Sequence, residues 1–269
     1  MQHSLPLQRT VVDAARPLRR RFDLHWLGLP VALLGLLVLW QAVVSWGNYR
    51  AFILPAPSQV WDRFVATAMS GLLWRHTSAT LVEALGGFSI ALMLGLSLGY
   101  VLAHIPWLER AISPILAASQ AVPVVAIAPL IILWFGPGLQ SKLLIAALIT
   151  FLPILLSTVI ALRSIAPELR EMALISGASR WQMLRYVESA LALPVLFGGV
   201  RTGLALATTG AVVGEFVAGR EGLGALINIA RGLFDTPLIF VALLTLATMT
   251  LLFYLLATLL ERLLVRWEA

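Results

Sequence analysis

Ionisable residues are scarce in this chain, and the few that interrupt its apolar runs are the ones that could do chemistry. Glu83 and Glu215 stand beside or inside such runs, and a carboxylate in a bilayer is costly enough to be a functional candidate by default. Each has two readings: it lines a solute path, or it sits at an outer interface, salt-bridged to Arg75 or Arg220. Ser119, Gln120, Thr150, Ser157, Thr202, Thr208 and Thr209 share these apolar settings. They could line the same path, although Ser and Thr equally serve to bond helices to one another. His25, His76 and His104 lack metal-ligand spacing, His3 lies in a polar N-terminal stretch, and the absence of cysteine removes disulfides and thiolate metal sites. No His-Glu-x-x-His and no nucleophile–base constellation is present. The single lysine, Lys142, follows Ser141 rather than a glycine, so the chain carries no Gly-Lys-Ser/Thr string to cradle a nucleotide phosphate.

The densest polar segment is 163–189. Pro167 suits a first helical position, and Glu168 and Glu171 are expected in the first turn, where the helix dipole favours acids. Leu169, Met172, Ala173 and Ser176 then share one face. Gly177 can take backbone angles closed to other residues and ends this helix. Ser179 is placed to cap a second one, with Met183, Leu184 and Val187 on its apolar side. Two short amphipathic helices joined at a glycine make a projection with a docking face, where small Ala173 permits close approach.

The elements that position these residues follow from composition. The chain is 60% hydrophobic and 12% charged over 269 residues, with a mean hydropathy of +0.92; soluble domains carry about 25% charged residues. An all-α integral membrane protein is expected. Apolar stretches near 27–46, 83–103, 121–136, 142–162, 194–217 and 237–260 each approach the ~20 residues one span needs, giving six transmembrane helices. The third holds Pro123 and Pro129, which interrupt it; a broken helix survives in lipid only where protein or water satisfies the freed backbone. Residues 58–73 are expected to form an interfacial helix capped by Ser58 and anchored by Trp61 and Trp74.

Charge sets the orientation. With both termini inside, cytoplasmic segments hold twelve arginines: Arg9, Arg16, Arg19, Arg20, Arg21, Arg110, Arg163, Arg170, Arg180, Arg185, Arg262 and Arg266. External segments hold six basic residues, Arg50, Arg63, Arg75, Lys142, Arg220 and Arg231, with Arg201 near a membrane edge. This bias matches the positive-inside rule and places the N- and C-termini in the cytoplasm. Arg19-Arg20-Arg21-Phe22 faintly resembles a twin-arginine signal, but the apolar run after it is too long for a signal-peptide core. The chain divides into a basic N-terminus (1–25), a first span (26–48), an extracytoplasmic segment (49–80), a five-span core (81–262) containing the loop 163–194, and a tail (263–269).

Glu171-Met-Ala173, Gly177 and Leu193-Pro194 together resemble the EAA loop of binding-protein-dependent ABC importer permeases, and Gly177-Ala-Ser-Arg-Trp-Gln182 is similar to that family's wording. The resemblance runs from Leu54-Pro55 through Glu215 to Glu261-Arg262. It implies a type I (MetI-like) permease fold in the inner membrane. It also implies that Glu171, Met172, Ala173, Gly177, Ala178, Ser179, Arg180 and Trp181 form the loop that couples the spans to a cytoplasmic ATPase. The implied partners are two ATPase subunits, which bind ATP and Mg, a second permease copy as homodimer, an extracytoplasmic solute-binding protein and the lipid bilayer, with no nucleic acid and no cofactor in this chain. Met172 departs from the family's alanine, and Ser189-Ala190 stand where an earlier Leu-Pro is common, so the helix is expected to run on to Pro194. The resemblance covers permeases for taurine, alkanesulfonates, nitrate, thiamine pyrimidine precursors and riboflavin; Ala211-Val-Val-Gly-Glu-Phe-Val-Ala-Gly219 with Glu221-Gly-Leu-Gly224 points to the vitamin and pyrimidine-precursor members. The competing class, an ion-coupled secondary transporter, predicts inverted halves with paired carboxylates, a symmetry this sequence does not display.

Overall fold

A computed structural model describes residues 25–265, and every regular element among them is helical. The arginine-rich segment 1–24, with its signal-like string, and Arg266 lie outside the described residues. The chain falls into two units, one ending at Gly47 and one beginning at Asn48. The first contributes α1 (His25–Gly47), an apolar helix in which the Gln41 amide donates to Ser45 and the Ser45 hydroxyl to the Gln41 carbonyl. The second holds everything else.

In the second unit, α2 (Pro57–Met69) is a short amphipathic helix. Its cap is Ala56 rather than the expected Ser58: Pro57 occupies the first helical position, and the Gln59 side chain accepts from the Ala56 N–H at 3.0 Å. Proline at that position has no N–H to lose, so the helix starts two residues earlier than a Ser58 cap suggests. Trp61 and Trp74 are both exposed. Gly71, at φ +75°, turns the chain into α3 (Leu72–His104), so the helix expected to reach residue 73 ends at Met69. At 33 residues, α3 starts eleven residues ahead of the expected span because one face of its first three turns, carrying Leu73, His76 and Thr80, is buried against protein.

Two helices follow, α4 (Pro106–Ala121) and α5 (Val124–Phe135), bent by 94° at Val122–Pro123. Pro123 makes the break, as expected. Pro129 does not: it lies inside α5 without ending it. The central element is α6 (Leu139–Arg163), packed along its length between α3 and α9 (Ser189–Ala218). Glycines permit the contact. A Cβ on Gly87 of α3 would meet the Ala146 Cβ at 2.4 Å, and one on Gly210 of α9 would meet the Ala146 Cα at 2.6 Å. Gly95 and Gly99 face Ile154 and Thr158 in the same way, so that pair of small residues is a helix contact. A core of Ala84, Phe88, Ala91, Ala147, Ile154, Leu204, Ala207 and Met249 joins α3, α6 and α9 to α11 (Thr236–Leu264).

Between α6 and α9 lie α7 (Pro167–Ile175), α8 (Arg180–Gln182) and a π-helical turn, Met183–Glu188. α8, the π turn and α9 run together as one 39-residue helix, Arg180–Ala218, which passes through Pro194 without ending. The expected second short helix is thus the foot of a span. A further helix, α10 (Leu223–Gly232), tucks between α9 and α11. By length and composition four described helices can cross a membrane, α3, α6, the 180–218 helix and α11, or five if the bent α4–α5 pair counts as one.

Candidate functional site

The projection at one end of the bundle is built as its sequence dictates. Pro167 is the first residue of α7, behind Ala166, and Glu168 sits in its first turn. Glu171 does not; it falls in the second turn, because the helix begins at Pro167 and not one residue later. The helix ends in a full Schellman motif: Ala178 N–H donates to the Ala173 carbonyl and Gly177 N–H to the Leu174 carbonyl, each at 3.0 Å. Gly177 carries the left-handed turn at φ +81°, and nothing stands within 4 Å of where a Cβ would lie. The glycine is therefore required by backbone angle, not by space. Ser179 accepts from the Gln182 N–H at 3.3 Å while Gln182 returns a bond to the Ser179 N–H at 2.8 Å, completing a capping box.

These two ends hold a shallow apolar groove. Leu169, Met172 and Ala173 of α7, with its C-cap Ser176, face Tyr186, Val187, Ala190 and Leu191 across about 420 Å³. No residue of α7 is buried, and Ile175, Trp181 and Tyr186 stand 88%, 67% and 69% exposed. Exposed apolar side chains grouped on a projecting helix mark a docking surface. Glu171, Gly177, Ser179 and Arg180 are exposed beside it, with Ala173 and Ala178 half-buried.

Sequence reasoning missed how this projection is anchored. Glu188, 2% exposed, accepts from or pairs with His104 Nε2 at 2.9 Å, and Arg170 Nε stands 3.2 Å from the same oxygen. Arg170 Nη2 donates to the Leu162 carbonyl at 2.8 Å. Nearby, Glu109 pairs with Arg163, and Arg201 with Glu261 at 3.3 Å.

The opposite end carries a second polar cluster. Lys142, expected in an external segment, is buried in α6 and donates to Glu83 at 2.6 Å. Its Nζ also stands 3.3 Å from the Glu221 carbonyl oxygen. Glu215 is buried, accepting from Thr80 Oγ1 at 2.6 Å and from the Gly224 N–H at 2.5 Å. Neither carboxylate pairs with Arg75 or Arg220 as the interface reading had it. Arg75 instead binds Glu221, whose carboxyl its guanidinium holds below the ordinary glutamate range. Glu83 and Lys142 line the floor of a cleft of about 470 Å³ rimmed by Arg75, Arg220 and Glu221.

The remaining path candidates do not converge in one place. Thr150 is fully buried and bonds its own helix at Ala146; Thr208 is buried with no partner for its hydroxyl; Ser157 packs against Gly199. Ser119, Gln120, Thr202 and Thr209 are exposed on the bundle surface.

Comparison with known proteins gives these features a context. Residues 91–268 match the family described as binding-protein-dependent transport system inner membrane component. The chain is 71% identical, over the full length of both sequences, to the riboflavin transport system permease protein RibX of Chloroflexus aurantiacus. It is 32% identical to the formylaminopyrimidine transport permease protein ThiX of Halalkalibacterium halodurans, across 87% of this chain and 92% of that one. Among solved structures, a chain of the inward-facing MetNI methionine ABC transporter superposes with a TM-score of 0.64 at 22% identity, covering 73% of this chain and 98% of the other; that likeness speaks to fold.

Proposed function

This chain belongs to the family of inner-membrane components of binding-protein-dependent transport systems, and from that premise we propose that it is the permease through which an ATP-driven importer carries riboflavin, or a closely related heteroaromatic vitamin, into the cell. The observation that carries the substrate is the 71% identity to a riboflavin permease over the whole of both chains.

The mechanism follows from the geometry of the two ends. The α7 groove, with Glu171, Met172, Ala173, Gly177, Ala178, Ser179, Arg180 and Trp181 around it, is the face that docks into a separate cytoplasmic ATPase subunit. Two such subunits bind ATP and Mg, and their closure draws the docked α7 helices of two permease copies together. Because α7 is tied to three other elements, that movement reaches the spans and alternates access. The far end, with the Glu83–Lys142 cleft, faces the external solute-binding protein. In this reading α1 is the first of six spans and both termini are cytoplasmic, which puts Arg110, Arg163, Arg170, Arg180 and Arg185 on the positive side. The exposed Ser119, Gln120, Thr202 and Thr209 are the path candidates, facing the second copy.

The test is growth. A riboflavin-auxotrophic bacterium lacking its own riboflavin uptake, expressing this chain with its cognate ATPase and binding protein, should grow on low external riboflavin. Growth should cease when the chain alone is omitted. Growth rescued only by a formylaminopyrimidine or a sulfonate source would move the substrate to another branch of the family.

A further inference from the structure

The docking helix makes almost no buried contact of its own: none of the nine residues of α7 is buried. A load applied to it can pass through its two covalent ends, through its packing on the π turn across the apolar groove, or through a side-chain tether. The tether is Arg170. Its side chain is 30% exposed, with Nη2 on the Leu162 carbonyl at the end of α6 and Nε 3.2 Å from Glu188 Oε1. Glu188 sits at the last position of the π turn and its side chain is 2% exposed. The same oxygen meets His104 Nε2 at 2.9 Å, at the last residue of α3. One carboxylate thus joins α7 to α3 and to the foot of the 180–218 helix, and Arg170 adds α6.

Resting on the permease reading above, we infer that Glu188 is a positioning residue for transport: with Arg170 and His104 it forms a clasp that transmits movement of the docking helix to the spans. Two details favour transmission over simple staking. The clasp is placed on a π turn, a local helical irregularity that recurs at functional sites. And Glu188 Oε2 is buried without a hydrogen-bond partner, as is Arg170 Nε, although both partners crowd Oε1. A carboxylate with a free second oxygen can hand a partner from one oxygen to the other. The clasp then shifts between two arrangements while its charge stays compensated, which is what a coupling element needs.

The experiment uses the assembled transporter in proteoliposomes, with cognate ATPase and riboflavin-loaded binding protein, and the variants Glu188→Gln, Arg170→Gln and the pair together. Two quantities are read: ATPase retained on the tagged permease, and stimulation of ATP hydrolysis by the binding protein. We expect wild-type ATPase retention in all three, with stimulation falling to the basal rate in each single variant and no further in the double. Arg170→Lys, which keeps a cation beside Glu188, should recover part of the stimulation. Arg170 lies on a surface helix, so its variants report even where Glu188→Gln yields no protein. Stimulation that survives in Arg170→Gln, or losses that add in the double variant, overturn the inference. Loss of bound ATPase in Arg170→Gln also overturns it, making Arg170 a docking residue. A wild-type permease that retains no ATPase defeats the permease reading instead.

Discussion

Single residues set the terms at both ends of the molecule. At Gly177 the left-handed turn is demanded by a Schellman motif in open space, so a side chain adds backbone strain and no clash. Gly177→Ala should cost about 1–2 kcal/mol locally, fraying α7 and reducing the ATPase that co-purifies with the permease. Gly177→Asn, whose side chain tolerates that region, should retain most of it. Equal retention in both would show that the turn does not position the docking face. At the other end, Lys142→Ala leaves the buried Glu83 carboxyl without its cation, a loss of about 3–5 kcal/mol. Thermal unfolding in detergent should show it, and the double change Glu83→Gln with Lys142→Met should recover much of it; no recovery would mean that Lys142 matters for more than its charge. The ends of α7 and the cap that follows it were legible because their signals are local: a proline, a glycine and a capping serine within thirteen residues. The ion pairs were not. Glu188 meets His104 across 84 positions and Glu215 meets Thr80 across 135, and nothing in a linear pattern announces such partners.

Among the elements, hydropathy located the long helices but misplaced their ends. The span expected at 83–103 begins at Leu72 because polar residues such as His76, Thr80 and Glu83 are buried against other protein, where hydropathy reads them as outside. Before Pro123 the sequence marks only Ser119 and Gln120 as path candidates and starts the third span at 121, yet residues 106–121 form α4, the first arm of a 94° bend. Helix contacts follow glycine. On α3 the obstacle to a Gly87 side chain is the Ala146 Cβ at 2.4 Å, while on α9 the obstacle at Gly210 is the Ala146 Cα at 2.6 Å. Gly87→Ala and Gly210→Ala should therefore each lower stability by about 1–3 kcal/mol, but only the first should be relieved by Ala146→Gly, since only there does the obstructing atom disappear. Thermal unfolding of the four variants in detergent checks this, and equal relief at both sites would contradict the packing described for α6.

For the whole molecule, the segregation of its charges gives the clearest account of function. One end carries the exposed α7 groove above the Arg170–Glu188–His104 clasp; the other carries the Glu83–Lys142 cleft. Helices such as α3, 33 residues and so about 50 Å long, connect them. A structure with a docking face at one end, a charged cleft at the other and glycine-packed helices between is suited to carry a signal across a bilayer. The most direct measurement is transport itself: tritiated riboflavin entering proteoliposomes that hold this chain with its cognate ATPase, with loaded binding protein outside and ATP inside. The account predicts accumulation that needs ATP and the binding protein and is abolished by Gly177→Asp. Riboflavin entry that proceeds unchanged without ATP, or with Gly177→Asp in place, would contradict it.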